Sequence, residues 1–278
     1  MNAAPADPST SGGNSADSMV RLVIADGIAE VVLDAPYRLN AVDVRALEDL
    51  AAAYDEAAAG VQEGTVRALV LRGEGRAFCA GRNLGAITFE DDDAYEFLDA
   101  TLTPLLRTMA AFPAPTFAAA QGACLGVGLG LLIATDVVYV AEDAKIGSPF
   151  ANLGLMLDSG GHWLFTERLG SHRALDLMYT GDLMTGADAV AGGLFSRAVP
   201  AADLLEFTRT KADRAARGPL QSLVASHQLV GRIRDERLGL WEAIRGENDA
   251  QGVLGSSEDY REGLAAFREK RQPRFGGQ

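Results

Sequence analysis

Between Pro115 and Gly161 the chain reads PTFAAAQGACLGVGLGLLIATDVVYVAEDAKIGSPFANLGLMLDSGG, and no other stretch limits the fold so tightly. The apolar run Thr116 to Ala120 has strand character and stops at Gln121-Gly122. Glycines at 122, 126, 128 and 130 then lead into the apolar segment Leu131–Ala134. This spacing predicts a strand, a tight turn, and a helix whose first turn leaves backbone N–H groups free. Such a helix start carries partial positive charge and suits an anionic oxygen. Small residues there let a ligand lie against the backbone. Asp158 follows, the only carboxylate between Asp143 and Glu167. An oxyanion-binding backbone beside a lone carboxylate is the skeleton of acid/base chemistry next to a carbonyl.

At 278 residues the chain is long enough to bury a full core. No apolar run approaches the ~18–20 residues needed to span a bilayer, so no membrane partner is expected. The first 19 residues are rich in Pro, Ser, Gly and Ala, with neither a basic start nor an apolar centre. They read as a disordered tail, not a secretory signal. Cys79 and Cys124 sit in apolar, glycine-flanked segments and read as buried thiols of a reducing, cytoplasmic compartment. His162, His172 and His227 show no metal-ligand spacing, and no metal is expected. A net charge of −13 argues against a nucleic-acid surface. It leaves room for an anionic small ligand held by a few local arginines.

Taken in order, Val20–Ile24 and Ala29–Leu33 flank Asp26-Gly27 as a hairpin. Asp43 is the expected N-cap of an amphipathic helix from Val44 to about Ala59, with Leu47, Leu50, Ala51 and Tyr54 facing the core. Val66–Leu71 reads as a buried strand, and Gly73–Gly81 as a loop. A helix starting in the acidic segment Asp91–Asp93 is expected to reach Ala111. Further strands fall at Val137–Ala141, Ala144–Gly147 and Phe195–Val199, with helices at Thr166–Leu177 and Ala187–Ala191. From Ala202 the pattern is helical: Leu204–Ala216, Leu220–Val230, Leu238–Ala250 and Ser257–Lys270. The organisation expected is therefore a tail over 1–19, an α/β core over 20–200, and a helical region over 201–278.

Each candidate site carries two readings. The run Gly126-Val-Gly-Leu-Gly130 has the wrong spacing and context for a dinucleotide fingerprint, and no P-loop lysine follows it. Its glycines serve either close helix packing or a ligand. Residues 73–84 form either a surface loop or a loop offering the N–H groups of Arg82 or Asn83. Asp158 either caps the next helix or, after the apolar Leu155-Met156-Leu157, has a raised pKa suited to acid/base work. His162 either packs or assists it.

From about Val20 to Phe275 the chain resembles the crotonase superfamily of enoyl-CoA hydratases and isomerases. The resemblance rests on Ala35-Pro36…Leu39-Asn40-Ala41, Gly75-Arg-Ala-Phe-Cys-Ala-Gly81-Arg-Asn-Leu84 and Gln121-Gly122-Ala-Cys-Leu-Gly126-Val-Gly128. Thr135-Asp136, Gly154-Leu-Met-Leu-Asp-Ser-Gly-Gly161 and the stretch from Glu258 to Phe275 continue it. It implies a spiral of ββα units with a C-terminal helical trimerisation region, assembled as a homotrimer or dimer of trimers. It implies an acyl-CoA thioester as substrate, with coenzyme A part of that substrate and no further cofactor. The backbone N–H groups of Arg82 and Val127 would form the oxyanion hole. Arg38, Ala80, Gly126 and Phe150 would line the CoA and substrate path, with Lys270 and Phe275 as weaker CoA contacts. Where hydratases of this family carry two glutamates, this sequence has Gly130 and Phe150. Asp158 falls where single-carboxylate enoyl-CoA isomerases and ring-epoxide isomerases keep their acid. Asn83 replaces the aspartate of most relatives. The resemblance thus implies an isomerase that shifts a double bond from Δ3 to Δ2. A divergent hydratase or lyase using His162, and a non-catalytic acyl-CoA-binding protein, are the alternatives.

Overall fold

The computed structural model describes residues 18–88, 90 and 92–276. Asp91 and all of the expected tail except Ser18 and Met19 lie outside the described residues. Those two are held: the Met19 carbonyl accepts from Asp34 N at 2.8 Å, and Ser18 Oγ donates to the Val20 carbonyl and to Asp49.

The hairpin forms as expected, β1 (Val20–Ala25) running antiparallel to β2 (Ile28–Leu33) through Asp26 and Gly27, both at positive φ. Asp43 caps α1 (Val44–Gln62) by accepting from Ala46 N at 3.0 Å. Leu47, Leu50 and Tyr54 point into the core, each fully buried, which is worth roughly 1.5–3 kcal/mol for each of the two leucines. Ala51 sits at the edge of that face and is only half-buried.

β3 (Ala68–Gly73) and β4 (Thr116–Ala120) are buried along their whole lengths, as the continuous apolar runs require of strands covered on both faces. Between them, α2 (Ala94–Glu96), capped by Asp93, passes through one π-helical stretch, Phe97–Leu102, into α3 (Thr103–Ala110). After β4 the structure adds what the glycine spacing did not reveal, a three-residue strand β5 (Ala123–Leu125) ahead of α4 (Val127–Ile133). β6 (Val137–Ala141), β7 (Lys145–Gly147), α5 (Gly161–Thr180), β8 (Met184–Thr185), α6 (Gly186–Ala191), β9 (Arg197–Val199) and α7 (Leu204–Ala216) complete the core. α5 begins five residues before the expected Thr166 and is interrupted by non-helical backbone at Gly170. β8 was not anticipated.

The strands divide between two sheets, a large one in the order β1-β2-β3-β4-β6-β9 and a small one in the order β5-β7-β8. β2, β3, β4, β6 and β9 pair in parallel. In the middle part of the chain each turn gives one strand to the large sheet and a short one to the small sheet before a helix follows. β4 with β5 and β6 with β7 are two such turns. The residues after β3 make a third, since Cys79 bridges Cys124 in parallel register. Gly122 makes the corner between β4 and β5: its φ is +58°, and a Cβ there would lie 2.0 Å from the Arg76 carbonyl oxygen. This is the spiral of ββα units expected from the resemblance.

Asp136 pins the start of β6 to that of β4, accepting from Thr116 N while its own N–H donates to Thr116 Oγ, both at 2.9 Å. Its other carboxylate oxygen meets His227 Nδ1 at 2.8 Å, which ties α8 (Leu220–Asp235) to the core. α9 (Leu240–Leu254) and α10 (Glu258–Glu269) follow. Neither α8 nor α9 buries a single residue. Val230, Trp241, Val253 and Phe267 stand exposed on this helical region.

Candidate active site

Two chain segments meet where the small sheet ends. Cys79 N donates to the Ala123 carbonyl at 2.9 Å, and Leu125 N to the Cys79 carbonyl at 3.0 Å. Beyond those bonds both segments turn away through glycines, Gly81 at φ +97° and Gly126 at φ +53°. Their backbones are in contact: a Cβ on Gly81 would lie 3.0 Å from the Leu125 carbonyl oxygen and 3.8 Å from Gly126 Cα. Arg82 and Val127 come next. Val42 N donates to the Gly81 carbonyl and Asn83 N to the Val42 carbonyl, so residues 81–83 are fixed on either side of Arg82. The Arg82 N–H between them has no acceptor among the described residues, nor has that of Val127, the first residue of α4. Two free donors on adjoining backbones are what a developing oxyanion requires.

The loop leading to Arg82 is held by two side chains, Asn40 and Gln121, to which the sequence alone assigns no role. Asn40, 2% exposed, accepts from Ala35 N and donates to the Glu74 and Ala77 carbonyls at 2.9 and 2.8 Å. Gln121 Nε2 donates to the Gly73 and Gly75 carbonyls at 2.8 and 3.0 Å. A polar amide inside each apolar motif was the available signal, because a buried amide must find partners.

Asp158 opens a tight turn closed by Gly161 N donating to its carbonyl at 2.9 Å, with Ser159 at φ +54° and Gly160 at φ +88°. Its side chain does not cap α5, whose N-cap is Gly160. Oδ1 instead accepts from Ser159 Oγ at 2.6 Å, and Oδ2 has no partner among the described residues. Burial raises the Asp158 pKa above the ordinary carboxylate value, outweighing Ser159, Arg82 and His162, which pull it down. The half-buried His162 is thereby within electrostatic reach of the carboxylate. Of the apolar triplet before it only Leu157 is buried, while Leu155 and Met156 are exposed.

Gly130 lies against this turn, so that a Cβ on it would meet Ser159 Cβ at 2.5 Å. The half-buried Phe150 lays its ring on Gly126, Cζ standing 3.1 Å from where a Cβ would be. Ser148 Oγ accepts from Gly126 N at 2.9 Å. Ala80 spends its N–H on the Leu39 carbonyl, 3.0 Å away. The Arg82 guanidinium is tied to Asp92 at 2.7 Å and stacks 4.1 Å over the Phe97 ring. Arg38 pairs with Asp43 at 3.1 Å and touches Met19 Sδ, and its Nε is buried without a partner among the described residues. Lys270 and Phe275 stay with the C-terminal helical region, Phe275 beside Gly263.

A cavity of about 490 Å³ opens beside Gly130, Ser159 and Gly160 and runs between Leu98, Leu102 and Trp163. Arg82 and Val127 lie outside its lining. Both cysteines are fully buried, and burial pushes the Cys79 thiol up to about 12, so neither supplies a thiolate at neutral pH. Among the described residues no group of three or more His, Cys, Asp or Glu is placed to hold a metal, and no helix is long and apolar enough to cross a membrane.

A sequence model of the enoyl-CoA hydratase/isomerase family matches residues 23–278. A probable enoyl-CoA hydratase of Rhodobacter capsulatus is 36% identical, over 93% of this chain and 98% of that relative. The 1,2-epoxyphenylacetyl-CoA isomerase of Escherichia coli is 30% identical, over 91% and 97%. The crystal structure of an enoyl-CoA hydratase subunit from Geobacillus kaustophilus superposes with a TM-score of 0.84 at 30% identity, covering 95% of this chain and all 100% of the other. Fold, free backbone donors and sequence likeness agree, and the chain belongs to the enoyl-CoA hydratase/isomerase family.

Proposed function

We propose that the protein is an acyl-CoA isomerase that moves a double bond from Δ3 to Δ2, or makes the related shift in a ring-acyl thioester. The thioester oxygen accepts hydrogen bonds from the N–H groups of Arg82 and Val127, which stabilises an enolate. Asp158 removes a proton from C2 and returns it at C4. One carboxylate suffices because the proton leaves and re-enters the same dienolate. The observation that carries this reading is a lone, half-buried Asp158 of raised pKa, with glycine at 130 and phenylalanine at 150. Neither Gly130 nor Phe150 offers a group to hold or activate water.

The exposed apolar face of α8–α10 supports assembly as a homotrimer or dimer of trimers, and Arg38, whose buried Nε has no partner among the described residues, is a candidate contact for the CoA phosphates. Two buried free thiols suit a reducing compartment such as the cytoplasm. A hydratase is the second reading, favoured by the names of the Rhodobacter capsulatus relative and of the 2,3-dehydroadipyl-CoA hydratase of Escherichia coli, 29% identical. It requires a second acid/base group, for which His162 is the nearby candidate.

The test is turnover of a 3-enoyl-CoA, followed by the ultraviolet absorbance of the conjugated thioester, in wild type and Asp158→Asn. Conversion by wild type and a loss of ~10²-fold or more in the variant are expected. Binding of acyl-CoA without conversion of linear or ring substrates would leave a binding protein instead.

A further inference from the structure

Ser159 touches both the carboxylate and the glycine that stands where a second acid would be. Its Oγ lies 2.6 Å from Asp158 Oδ1, and its Cβ fills the space that a side chain on Gly130 would need. The residue occupies left-handed backbone, φ +54°, which a serine adopts at a cost and which glycine adopts freely. The turn retains that conformation with Gly160, also left-handed, beside it. Ser159 and Gly160 also line the 490 Å³ cavity, whose lining does not include Asp158 itself. The two carboxylate oxygens are therefore unequal, one engaged by a hydroxyl and one open.

We infer that Ser159 is a positioning residue that holds Asp158 Oδ1, so that Oδ2 alone accepts and returns the migrating proton. This rests on the isomerase reading. In the first step Oδ2 takes the proton from C2 and the electron pair passes into the dienolate. In the second the same oxygen delivers that proton to C4, so no atom or electron is gained or lost. When the acid is neutral, the Ser159 hydroxyl donates to the carbonyl-type Oδ1 and leaves the proton on the oxygen facing the substrate. A freely rotating carboxyl would place the proton on the wrong oxygen for part of the time. The groups within electrostatic reach of Asp158, besides Ser159, are Arg82 and His162.

The experiment measures the pH dependence of kcat and KM for 3-enoyl-CoA isomerisation in wild type, Asp158→Asn, Ser159→Ala and Ser159→Gly. Ser159→Gly relieves the backbone conformation and Ser159→Ala does not, yet both lose the hydroxyl. Both variants are expected to lose roughly 10-fold or more in kcat with KM within about twofold of wild type. The acid limb of both profiles should move to higher pH, because the hydroxyl that favours the charged carboxylate is gone. If Asp158→Asn is inactive while both Ser159 variants keep the wild-type kcat and acid limb, the inference is wrong and the isomerase reading stands. A loss in Ser159→Ala that Ser159→Gly restores would reduce Ser159 to a backbone role and also overturn it. A wild type that converts no 3-enoyl-CoA removes the isomerase reading and this proton route together.

Discussion

Gly130 and Ser159 meet through space that any side chain would fill: a Cβ on Gly130 would lie 2.5 Å from Ser159 Cβ and 3.1 Å from its carbonyl oxygen. The glycine at 130, where the resemblance places a hydratase glutamate, is thus built into the packing of the turn that carries Asp158. A carboxylate cannot be returned to position 130 without moving that turn.

Gly130→Glu is therefore expected to damage the site without creating a hydratase. Overpacking of this kind costs typically 1–3 kcal/mol, and a displaced Ser159 takes Asp158 with it. Thermal melting should show a lowered Tm, and isomerisation should fall by ~10²-fold or more. A variant with unchanged Tm and new water addition would contradict the packing argument.

Asp158→Asn is expected to stabilise the protein at neutral pH. The folded pKa of Asp158 is raised, above all by burial, so its contribution is fully present below the ordinary value of 3.8 and is lost as pH rises through the folded pKa. Asparagine mimics the neutral acid at every pH. The variant should melt a few degrees above wild type near pH 7, and the gap should close as the pH is lowered towards 4. An equal gap at both pH values, or a lower Tm, would count against a desolvated carboxylate.

His227 anchors α8 through Asp136, and that hydrogen bond raises its pKa, with the Ala110 carbonyl adding to the effect while burial and Arg234 oppose it. A raised pKa places the stabilisation below the unfolded value of about 6.5 and removes it as pH climbs through the folded value. His227→Gln should accordingly cost more stability near pH 5.5 than near pH 8.5, as read by denaturant midpoints. A cost independent of pH would assign His227 to packing alone.

Asn40→Ala removes an amide from a buried junction, leaving the Glu74 carbonyl and Ala35 N without that partner and the Ala77 carbonyl with only Gln121 Nε2 at 3.5 Å. A loss of about 2–3 kcal/mol is expected from such uncompensated groups. Because that junction holds the loop before Arg82, kcat for isomerisation should fall more than acyl-CoA affinity. Equal loss in both would mean that the proposed oxyanion donors do not depend on Asn40.

Much of this arrangement was legible where local chemistry and tertiary packing agree. Asp43 caps the helix it precedes, Thr116–Ala120 is the strand its apolar run announces, and Leu204–Ala216 has the expected bounds. The strand β5 was hidden because three residues between glycines carry no periodicity, and only the pairing with Cys79 and β7 makes them a strand. The early start of α5 was hidden by Asp158-Ser159-Gly160-Gly161, which reads as a stop or a cap but is a turn continuous with the helix. Asp158 itself stood out as a lone carboxylate. The Ser159 contact did not, since a neighbouring hydroxyl reveals nothing until the backbone shows which way it turns. Asn40 and Gln121 act on loops distant in sequence, a relationship that composition cannot express.

In the proposed isomerase one carboxylate moves a proton and no group activates water. The most direct test incubates the protein with a 2-enoyl-CoA and a 3-enoyl-CoA in ¹⁸O-labelled water and follows all products by mass spectrometry. Interconversion of the two enoyl thioesters with no labelled 3-hydroxyacyl-CoA is expected, abolished in Asp158→Asn. Labelled 3-hydroxyacyl-CoA formed as fast as the isomer would contradict it and make the protein a hydratase.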